Sequence, residues 1–319
     1  MNFCSDNLPL NIILFCVGLY ALLKGSDLFV DAASALARRL KVSELVIGLT
    51  VVSMGTSLPE LATNVYASIQ GKDTIAYGNI VGSNITNVML VLGLGTILLG
   101  KIEVPRKLFT RDGLIMLLMT LLTLGSAWFL HGMPRWGGAV YLLLLAGYMF
   151  MLFREQGDIV DDEDTSALVG RGVAFLLLVL ALGLVLVTVG AKTVVDNAIW
   201  LAMRLGVSET VVAVTAVALG TSLPELVVTL MGIIKKRSGI ALGNIVGSNI
   251  FNMQFILGVS SLIHPLAVDA SMRNFNLPWL LLSDLLLLSF MRWKWKLLRW
   301  EGVVLFLGYA VFLWKNFAG

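Results

Sequence analysis

The sequence predicts an all-α integral membrane protein in which ten transmembrane helices form two inverted five-helix repeats. Three observations predict it: the composition, the spacing of the apolar runs and an internal duplication. Of the 319 residues, 58% are hydrophobic and only 13% are charged, whereas about a quarter of the residues of a soluble domain carry a charge. The mean hydropathy is +0.89. Membrane lipids are therefore the expected surroundings, and nothing in the composition supports nucleic-acid binding.

Ten apolar runs are each long enough to cross the ~30 Å hydrocarbon layer of a bilayer. They cover residues 10–36, 44–70, 74–99, 108–131, 136–153, 169–203, 209–234, 239–263, 275–291 and 299–317. Strands are not expected, because an open sheet leaves backbone groups unpaired in lipid and the sequence lacks the alternation of a barrel. Each run is therefore predicted to be a helix.

An internal duplication divides the chain into two halves. GTSLPE occurs at 55–60 and again at 220–225, and GNIVGSNITN at 78–87 matches GNIVGSNIFN at 243–252 in nine of ten positions. Because each half has five predicted spans, an odd number, the second copy enters the membrane upside down. The predicted organisation is a first repeat at 1–154, an acidic cytoplasmic linker at 155–168 and a second repeat at 169–319.

Basic residues predict the orientation. Most of the 23 Lys and Arg residues fall in the loops that follow odd-numbered helices, as at 38–41 and 235–237. The positive-inside rule places these loops in the cytoplasm, so both termini are predicted to lie outside the cytoplasm. The acidic linker could bind calcium, but it lacks the regular oxygen ladder and the Gly of a calcium loop, which favours a solvated surface segment.

Two glutamates, Glu60 and Glu225, are predicted to lie near the middle of the bilayer, where an ionisable residue marks a functional site. Each follows a proline, Pro59 or Pro224, that lacks an N–H and clashes with the carbonyl four residues back. A broken helix at each proline would expose carbonyl oxygens beside hydroxyls. The neighbouring hydroxyls are those of Thr56, Ser57, Thr221 and Ser222. The alternative is that each glutamate makes only a structural hydrogen bond.

The helix after each glutamate adds further polar side chains. They are Ser83, Asn84 and Asn87 in the first half and Ser248, Asn249 and Asn252 in the second. The amides either line the site or only cross-link helices. Two carboxylates neutralise a divalent ion, and Ca²⁺ takes six to eight oxygen ligands. No His or Cys lies nearby in the sequence, which argues against zinc or copper.

Other charged and hydroxyl residues have a structural explanation. The spacing of Lys24 and Asp27 predicts an ion pair within one helix, as does that of Lys192 and Asp196. Asp31 is the first-half counterpart of Asp196 and is likewise expected to be neutralised rather than to bind transported ions. Ser43 and Ser208 are predicted helix N-caps.

The two repeated blocks resemble those of the cation/calcium exchanger superfamily, in particular its prokaryotic sodium/calcium exchanger branch. The specific match covers roughly residues 43–93 and 208–258. The resemblance implies that Glu60 and Glu225 are the central calcium ligands, with backbone oxygens from Thr56 and Thr221. It implies sodium sites at Ser57, Ser222, Ser83 and Ser248 and at the carbonyls of Ser53 and Ala218. Asn87 and Asn252 occupy the remaining polar position, where potassium-dependent exchangers carry Asp in one repeat, so potassium co-transport is not expected.

The expected function is secondary active antiport of sodium and calcium by alternating access, with the first and sixth helices moving. The nearest alternative is a proton/calcium antiporter that uses the same glutamates, and a passive channel is a further alternative. No enzymatic activity and no resident cofactor are expected, since HExxH is missing and both histidines fall at predicted helix ends. Without a large cytoplasmic insertion, the chain fits a prokaryotic plasma (inner) membrane. The oligomeric state is left open.

Overall fold

The computed structural model describes residues 7–154, 168, 170–205 and 209–318, without the side chains of 209–219 and 317–318. Almost all of the linker predicted at 155–168, and the cap predicted at Ser208, therefore lie outside the described residues. The described chain is helical, and its helices follow the apolar runs.

The described part of the first half, residues 7–154, contains eight α-helices and three π-helical segments. The α-helices are α1 (Leu8–Leu40), α2 (Glu44–Ile47), α3 (Ser53–Thr56), α4 (Leu58–Ile69), α5 (Asp73–Ile85), α6 (Gly93–Leu99), α7 (Leu114–Phe129) and α8 (Arg135–Arg154). The π-helical segments are Gly48–Val52, Thr86–Leu92 and Leu108–Gly113, each continuous with the α-helices beside it.

The described part of the second half contains six α-helices and two π-helical segments. The α-helices are α9 (Val173–Arg204), α10 (Glu209–Ile234), α11 (Ser238–Phe251), α12 (Leu257–Ile263), α13 (Leu277–Arg292) and α14 (Arg299–Ala318). The π-helical segments are Asn252–Ile256 and Met272–Asn276.

Up to eight candidate membrane spans occur among the described residues. Seven are single helical stretches, and the eighth is the bent pair Glu44–Thr56 and Leu58–Ile69. The other two predicted runs are occupied by α10, part of which has no described side chains, and by α14, which carries Arg299, Glu301 and Lys315. The protein is therefore an all-helical membrane protein with fewer clear spans than the ten predicted.

Two spans form the buried centre of the molecule. Within their most apolar windows, Ser238–Ile263 is 94% buried and Asp73–Leu99 is 78% buried, against 22–39% for the other single-helix spans. These two spans contain the repeated GNIVGSNI sequences. The repeated motifs thus lie in the interior, with the more exposed helices around them.

Among the described residues, four short strands connect the two halves outside the helices. β1 (Lys101–Glu103) pairs antiparallel with β4 (Lys296–Leu298), and β2 (Gly132–Met133) pairs antiparallel with β3 (Leu266–Ala267). The expectation of no strands was wrong for these loops. The argument behind it concerned backbone groups that face lipid, and the strands lie between the helices.

The two prolines act differently. In the first half Ser57 separates α3 from α4, and the helix axis bends by 48° before Pro59. In the second half Pro224 lies inside α10, which continues from Glu209 to Ile234. The predicted break is thus confirmed in the first half and wrong in the second. A proline removes one backbone donor, and the rest of α10 keeps its hydrogen bonds around that gap.

α1 and α9 pack closely at glycines. A Cβ atom on Gly25 would lie 2.9 Å from the carbonyl oxygen of Gly183, and one on Gly190 would lie 2.8 Å from that of Gly18. Side chains at these positions would push the helices apart. The four glycines are matched by the 165-residue offset of the duplication (183 − 18 and 190 − 25), so equivalent helices of the two halves contact each other through equivalent residues.

The predicted intrahelical ion pairs are present. Lys24 lies 3.7 Å from Asp27, and Lys192 lies 3.0 Å from Asp196. In addition Lys235, just after α10, contacts Asp27 at 2.6 Å and also Asp31, which the spacing within one helix could not reveal. These contacts connect α1 to the end of α10.

The predicted N-cap at Ser43 is also confirmed. Its hydroxyl oxygen accepts a hydrogen bond from the backbone N–H of Val46 at 3.3 Å. The cap satisfies one of the free donors at the start of α2.

Candidate functional site

Glu60 and Glu225 are both buried in the helical interior. Glu60 lies in the first turn of α4, immediately after Pro59, and Glu225 follows Pro224 within α10. Their side chains are 1% and 0% exposed. The cost of burying a carboxylate requires polar partners nearby.

At least one hydroxyl from the opposite half lies beside each carboxylate. Ser57 donates a hydrogen bond to Glu225 Oε1 at 3.0 Å. In the matching arrangement, the Glu60 carboxylate is within hydrogen-bonding reach of Thr221 and Ser83, and its charge interacts with that of Glu225. The Ser222 hydroxyl lies 3.3 Å from that of Ser83. The two repeated motifs therefore form one site.

Two further asparagines hold the motifs together. The Asn79 amide donates to the backbone oxygen of Glu60, and the Asn244 amide donates to that of Glu225, both at 3.5 Å. Thr56 donates to Asn244 Oδ1 at 3.0 Å, and Thr221 donates to Asn79 Oδ1 at 3.4 Å. These bonds use the hydrogen of each hydroxyl, and each hydroxyl oxygen keeps lone pairs that can still accept.

Sequence reasoning missed Asn79 and Asn244 as site residues. The signal was available, because each is the asparagine near the start of the repeated GNIVGSNI sequence. The sequence analysis named only the second asparagine of that motif, which is Asn84 or Asn249.

Four asparagines form a symmetric network between α5 and α11 and the π-helical segments that follow them. The amides of Asn84 and Asn249 each donate to the other's backbone oxygen at 3.2 Å. Asn87 donates to Asn249 Oδ1 at 3.0 Å, and Asn252 donates to Asn84 Oδ1 at 2.9 Å. The cross-linking alternative is therefore correct for Asn84 and Asn249. Asn87 and Asn252 use their N–H groups in the network, which leaves their oxygens as acceptors.

Several buried side-chain oxygens in this region have no hydrogen-bond partner among the described residues. They are Glu60 Oε2, Glu225 Oε2, Asn87 Oδ1, Asn252 Oδ1 and Ser248 Oγ. Leaving a buried polar atom unpaired costs about 1–3 kcal/mol. Oxygens of this kind, two of them from carboxylates, are the ligands that a hard cation requires.

The other predicted ligands lie close by or could not be placed. Ser53 is fully buried, and its carbonyl oxygen accepts hydrogen bonds from the Ser57 N–H at 3.1 Å and from the Thr56 hydroxyl at 3.3 Å. A carbonyl has two lone pairs, which this pair of bonds occupies in the structure as described. Ala218 lies in α10, in the stretch whose side chains are not described.

π-helical backbone adjoins the site in both halves. Asn87 lies in Thr86–Leu92, Asn252 begins Asn252–Ile256, and Ser53 directly follows Gly48–Val52. Such segments are rare and often occur at functional sites, because the extra residue in the turn changes the direction of the following side chains.

The chemistry of these donors restricts the ions that they suit. No three His, Cys, Asp or Glu side chains come together as a metal centre in the described part of the chain. The site offers two carboxylates and otherwise neutral oxygens. This combination suits alkali and alkaline-earth cations.

A polytopic helical protein with two buried acids at one oxygen-rich site is a candidate for the class of cation transporters. Comparison with known families makes this specific. The sequence model of the family described as "Sodium/calcium exchanger protein" matches residues 10–154 and 175–318. The chain therefore belongs to the sodium/calcium exchanger family.

Similar proteins include exchangers and a bacterial inner-membrane protein. The sodium/calcium exchanger MaX1 of Methanosarcina acetivorans is 38% identical, with 96% of this chain and 98% of MaX1 covered. The inner membrane protein YrbG of Escherichia coli is 37% identical, with 94% of each chain covered. A solved structure of the sodium-calcium exchanger NCX_Mj is 35% identical, with a TM-score of 0.84 and coverage of 97% of this chain and 100% of that one. The family resemblance predicted from the repeated motifs is thus confirmed.

Proposed function

We propose that the protein is a secondary active antiporter that exchanges sodium for calcium by alternating access. In this proposal ten transmembrane helices form two inverted repeats, at 1–154 and 169–319, with the 155–168 linker between them in the cytoplasm. The protein spans a prokaryotic plasma (inner) membrane with both termini outside the cytoplasm. MaX1 and NCX_Mj are sodium/calcium exchangers by name, which supports sodium as the coupling ion.

The observation that carries the proposal is the exchange of partners between the halves. Ser57 of the first half binds Glu225 of the second, and Thr221 of the second half lies beside Glu60 of the first. A site built from both halves changes shape when the halves move relative to each other. Such movement around a central site is how inverted-repeat transporters alternate their access.

The ligand assignment follows the symmetry of the site. Glu60 and Glu225 bind calcium with their carboxylates, and Thr56 and Thr221 with their backbone oxygens. Sodium uses oxygens of Ser57, Ser222, Ser83, Ser248, Ser53, Ala218, Asn87 and Asn252. Because the two ions share the carboxylates, they compete, and each is carried alone. Sodium that enters down its gradient then drives calcium out.

The test is calcium uptake into proteoliposomes. An outward sodium gradient should drive uptake of radiolabelled Ca²⁺ with wild-type protein, because entry of Ca²⁺ is exchanged for exit of Na⁺. Glu60→Gln and Glu225→Gln should each abolish uptake, since they keep the shape of the side chain and remove the charge. The matched control is Glu103→Gln, at a 71% exposed side chain outside the helices. Wild-type rates in either interior variant would refute the ligand assignment.

The proton/calcium alternative uses the same two carboxylates, which can bind protons in place of sodium. The serine hydroxyls around them favour sodium. Calcium uptake that follows a pH gradient and ignores a sodium gradient would establish the alternative. Under either mechanism, acidic pH should inhibit calcium uptake, because protons compete for Glu60 and Glu225.

A further inference from the structure

We propose that a basic face built around β1 and β4 binds the headgroups of anionic phospholipids. This β1–β4 face consists of residues 101–107 and 292–299, which lie far apart in the sequence and are brought together by strand pairing. None of these residues belongs to the site between Glu60 and Glu225, so the binding is independent of the ions exchanged there. Three observations support it: the charge of the face, two arginines held at one indole ring, and two exposed tryptophans.

The paired strands have one buried side and one open side. Ile102 pairs with Leu297, and directly opposite residues of an antiparallel pair point to the same side of the sheet. These two side chains are 3% and 0% exposed and belong to the apolar core. Lys101 and Glu103, the strand neighbours of Ile102, are exposed. The pair of strands is therefore anchored by its apolar side and presents its charged side outwards.

Positive charge dominates the β1–β4 face. Its two segments contain seven Lys and Arg residues and a single acid, Glu103. The carboxylate of Glu103 lies 3.1 Å from the Lys101 ammonium and 4.0 Å from that of Lys296. One carboxylate thus serves two lysines, and the face keeps a large positive excess.

Two arginines meet at one indole ring. The guanidinium carbons of Arg106 and Arg292 lie 5.3 Å and 5.4 Å from the centre of the Trp295 ring. Cation–π attraction stabilises each contact, but neither arginine has a carboxylate partner among the described residues. A guanidinium presents two parallel N–H donors that match the oxygens of a phosphate. Two of them held at one ring form a preformed site for a phosphodiester group, whose charge would offset their repulsion.

Two exposed tryptophans flank these arginines. Trp293 and Trp300 are 63% and 54% exposed. Trp293 follows the last residue of α13, and Trp300 is the second residue of α14. Tryptophan is enriched at the level of the lipid headgroups, and clusters of four to eight basic residues beside a membrane span are typical of sites for anionic lipids. A phospholipid would contact both the arginines and the indoles, whereas a soluble phosphate would contact only the arginines.

The equivalent strand pair of the other repeat lacks this charge. The 165-residue offset relates 101–107 to 266–272 and 292–299 to 127–134, the segments that contain β3 and β2. These segments contain Asp269 and no Lys or Arg. The positive-inside rule explains the sign of the difference. It does not require that two distant basic loops pair with each other or that two arginines share one ring, and these features define a local site.

The test measures equilibrium binding of lipid to the full chain in a neutral detergent. Radiolabelled phosphatidylglycerol or phosphatidylcholine with the same acyl chains is titrated onto immobilised protein and counted by scintillation proximity. Phosphatidylglycerol should bind at least about tenfold more tightly than phosphatidylcholine. The double variant Arg106→Gln with Arg292→Gln should lower the affinity for phosphatidylglycerol about 25-fold, because each basic side chain near anionic lipid contributes about fivefold. Equal wild-type affinities for the two lipids, or an unchanged affinity in the folded double variant, would overturn the proposal.

The matched control is the double variant Arg39→Gln with Lys236→Gln. It removes two charges from exposed positions in other loops on the same predicted side of the membrane, and it should leave the affinity for phosphatidylglycerol unchanged. An equal loss in both double variants would show that lipid responds to the overall charge of this side, which contradicts a local site.

A measurement on wild-type protein does not depend on whether the variants fold. Raising choline chloride from 50 to 500 mM, with sodium held constant, should weaken binding of phosphatidylglycerol and not of phosphatidylcholine, because salt screens exposed charges. Binding of phosphatidylglycerol that ignores salt would refute an electrostatic headgroup site.

Two soluble competitors identify the source of the anion. Glycerol 1-phosphate, which has the headgroup chemistry without acyl chains, should compete at least about tenfold more weakly than phosphatidylglycerol, since it cannot cover the indoles. Equal competition would assign the face to soluble phosphate esters. Binding of polyglutamate without binding of phosphatidylglycerol would assign it to an acidic protein. Either result overturns the lipid assignment.

Discussion

Asparagine is the residue that joins the two halves at their centre. Asn84 and Asn249 exchange reciprocal hydrogen bonds at 3.2 Å, and their side-chain oxygens accept from Asn252 and Asn87. An amide suits this position because it donates and accepts at once and carries no charge. The network therefore fixes the direction of two candidate ligands, and its two ends are related by the symmetry of the repeats.

Removing one member of this network should weaken calcium binding. Asn249→Ala takes away the acceptor for Asn87 and leaves a buried N–H unpaired, at a cost of about 1–3 kcal/mol. We expect calcium affinity to fall between about 5-fold and 150-fold, measured by equilibrium binding to purified protein. Asn316→Ala removes an exposed amide and should not change the affinity. Equal affinities in Asn249→Ala and wild type would show that the network does not position Asn87.

At the residue scale, the sequence was informative where a residue is both repeated and unusual for its surroundings. Glu60 and Glu225 could be predicted because a carboxylate within an apolar run is energetically costly and therefore marks a functional site. Asn79 and Asn244 could not be separated from their neighbours, since their role depends on which amide reaches the backbone behind each glutamate. That choice depends on how helices pack against each other, which the motif does not encode locally.

At the scale of the helices, the contact between α1 and α9 is the feature most relevant to movement during transport. The two helices meet at Gly18, Gly25, Gly183 and Gly190, where an added Cβ would approach backbone atoms of the other helix within 3.2 Å. Where the backbones approach this closely, no side chains interlock between the two helices. The helices can therefore slide past each other. This supports the hypothesis that the first and sixth helices move together during transport.

Alanine at these glycines should slow exchange. Gly25→Ala would place a methyl group 2.7 Å from the Val187 nitrogen, which forces α1 away from α9. We expect a loss of at least about tenfold in the rate of sodium-dependent calcium uptake, corresponding to about 1.4 kcal/mol of strain. Gly147→Ala is the matched control, because no described atom lies within 4 Å of its Cβ and it is exposed on α8. Normal uptake by Gly25→Ala would contradict the close approach.

An ionic cluster holds the end of α10 against α1. Lys235 contacts Asp27 and Asp31 of α1, and nearby Arg237 contacts Glu44 at the start of α2 at 3.2 Å. Partial burial lowers the pKa of Lys235, but hydrogen bonds and charge from the two aspartates raise it by more, so it lies above its usual value. The raised pKa keeps Lys235 charged throughout the neutral range, and the lysine loses its charge only in strong alkali.

Removing the charge of Lys235 should weaken the contact between the end of α10 and α1. A solvent-accessible ion pair contributes about 0.2–1 kcal/mol, so Lys235→Met should favour local separation of α10 from α1 by at most about fivefold per pair. Val228 is fully buried in α10 beside the α1 core residues. With Val228→Cys in a background without the native cysteines, an impermeant thiol reagent should therefore react faster in Lys235→Met. Lys236→Met removes the same charge from the exposed neighbour and should not change the rate; equal acceleration in both would point to a general charge effect.

Identical hexapeptides do not have identical backbones in this protein. GTSLPE contains a helix break in the first half and lies within continuous α10 in the second. The proline removes a backbone donor at both positions, but whether the chain kinks there depends on what packs against it. The sequence could therefore predict the position of the weak point, and not how far each copy bends.

At the scale of the whole molecule, duplication explains why so much of the site was predictable. Every side chain proposed to bind an ion has a counterpart in the other half, and pairs such as Ser57 with Glu225 connect across the two halves. The loops carry no such constraint, so the strand pairs β1–β4 and β2–β3 were not foreseen. Long-range pairing of two or three residues leaves no periodic signal in the sequence.

Calcium should stabilise the whole fold, because both halves contribute to its site. A ligand that binds only the folded state adds about 2.7 kcal/mol at one hundred times its Kd. We therefore expect millimolar Ca²⁺ to raise the apparent Tm of purified protein by several degrees, and the rise caused by Ca²⁺ to be smaller when Na⁺ already occupies the site. Glu60→Gln should lose the shift while Glu103→Gln keeps it. The Glu225 carboxylate alone cannot neutralise a divalent ion. An equal shift in Glu60→Gln would therefore mean that calcium stabilises the protein from a site other than the one between the two glutamates.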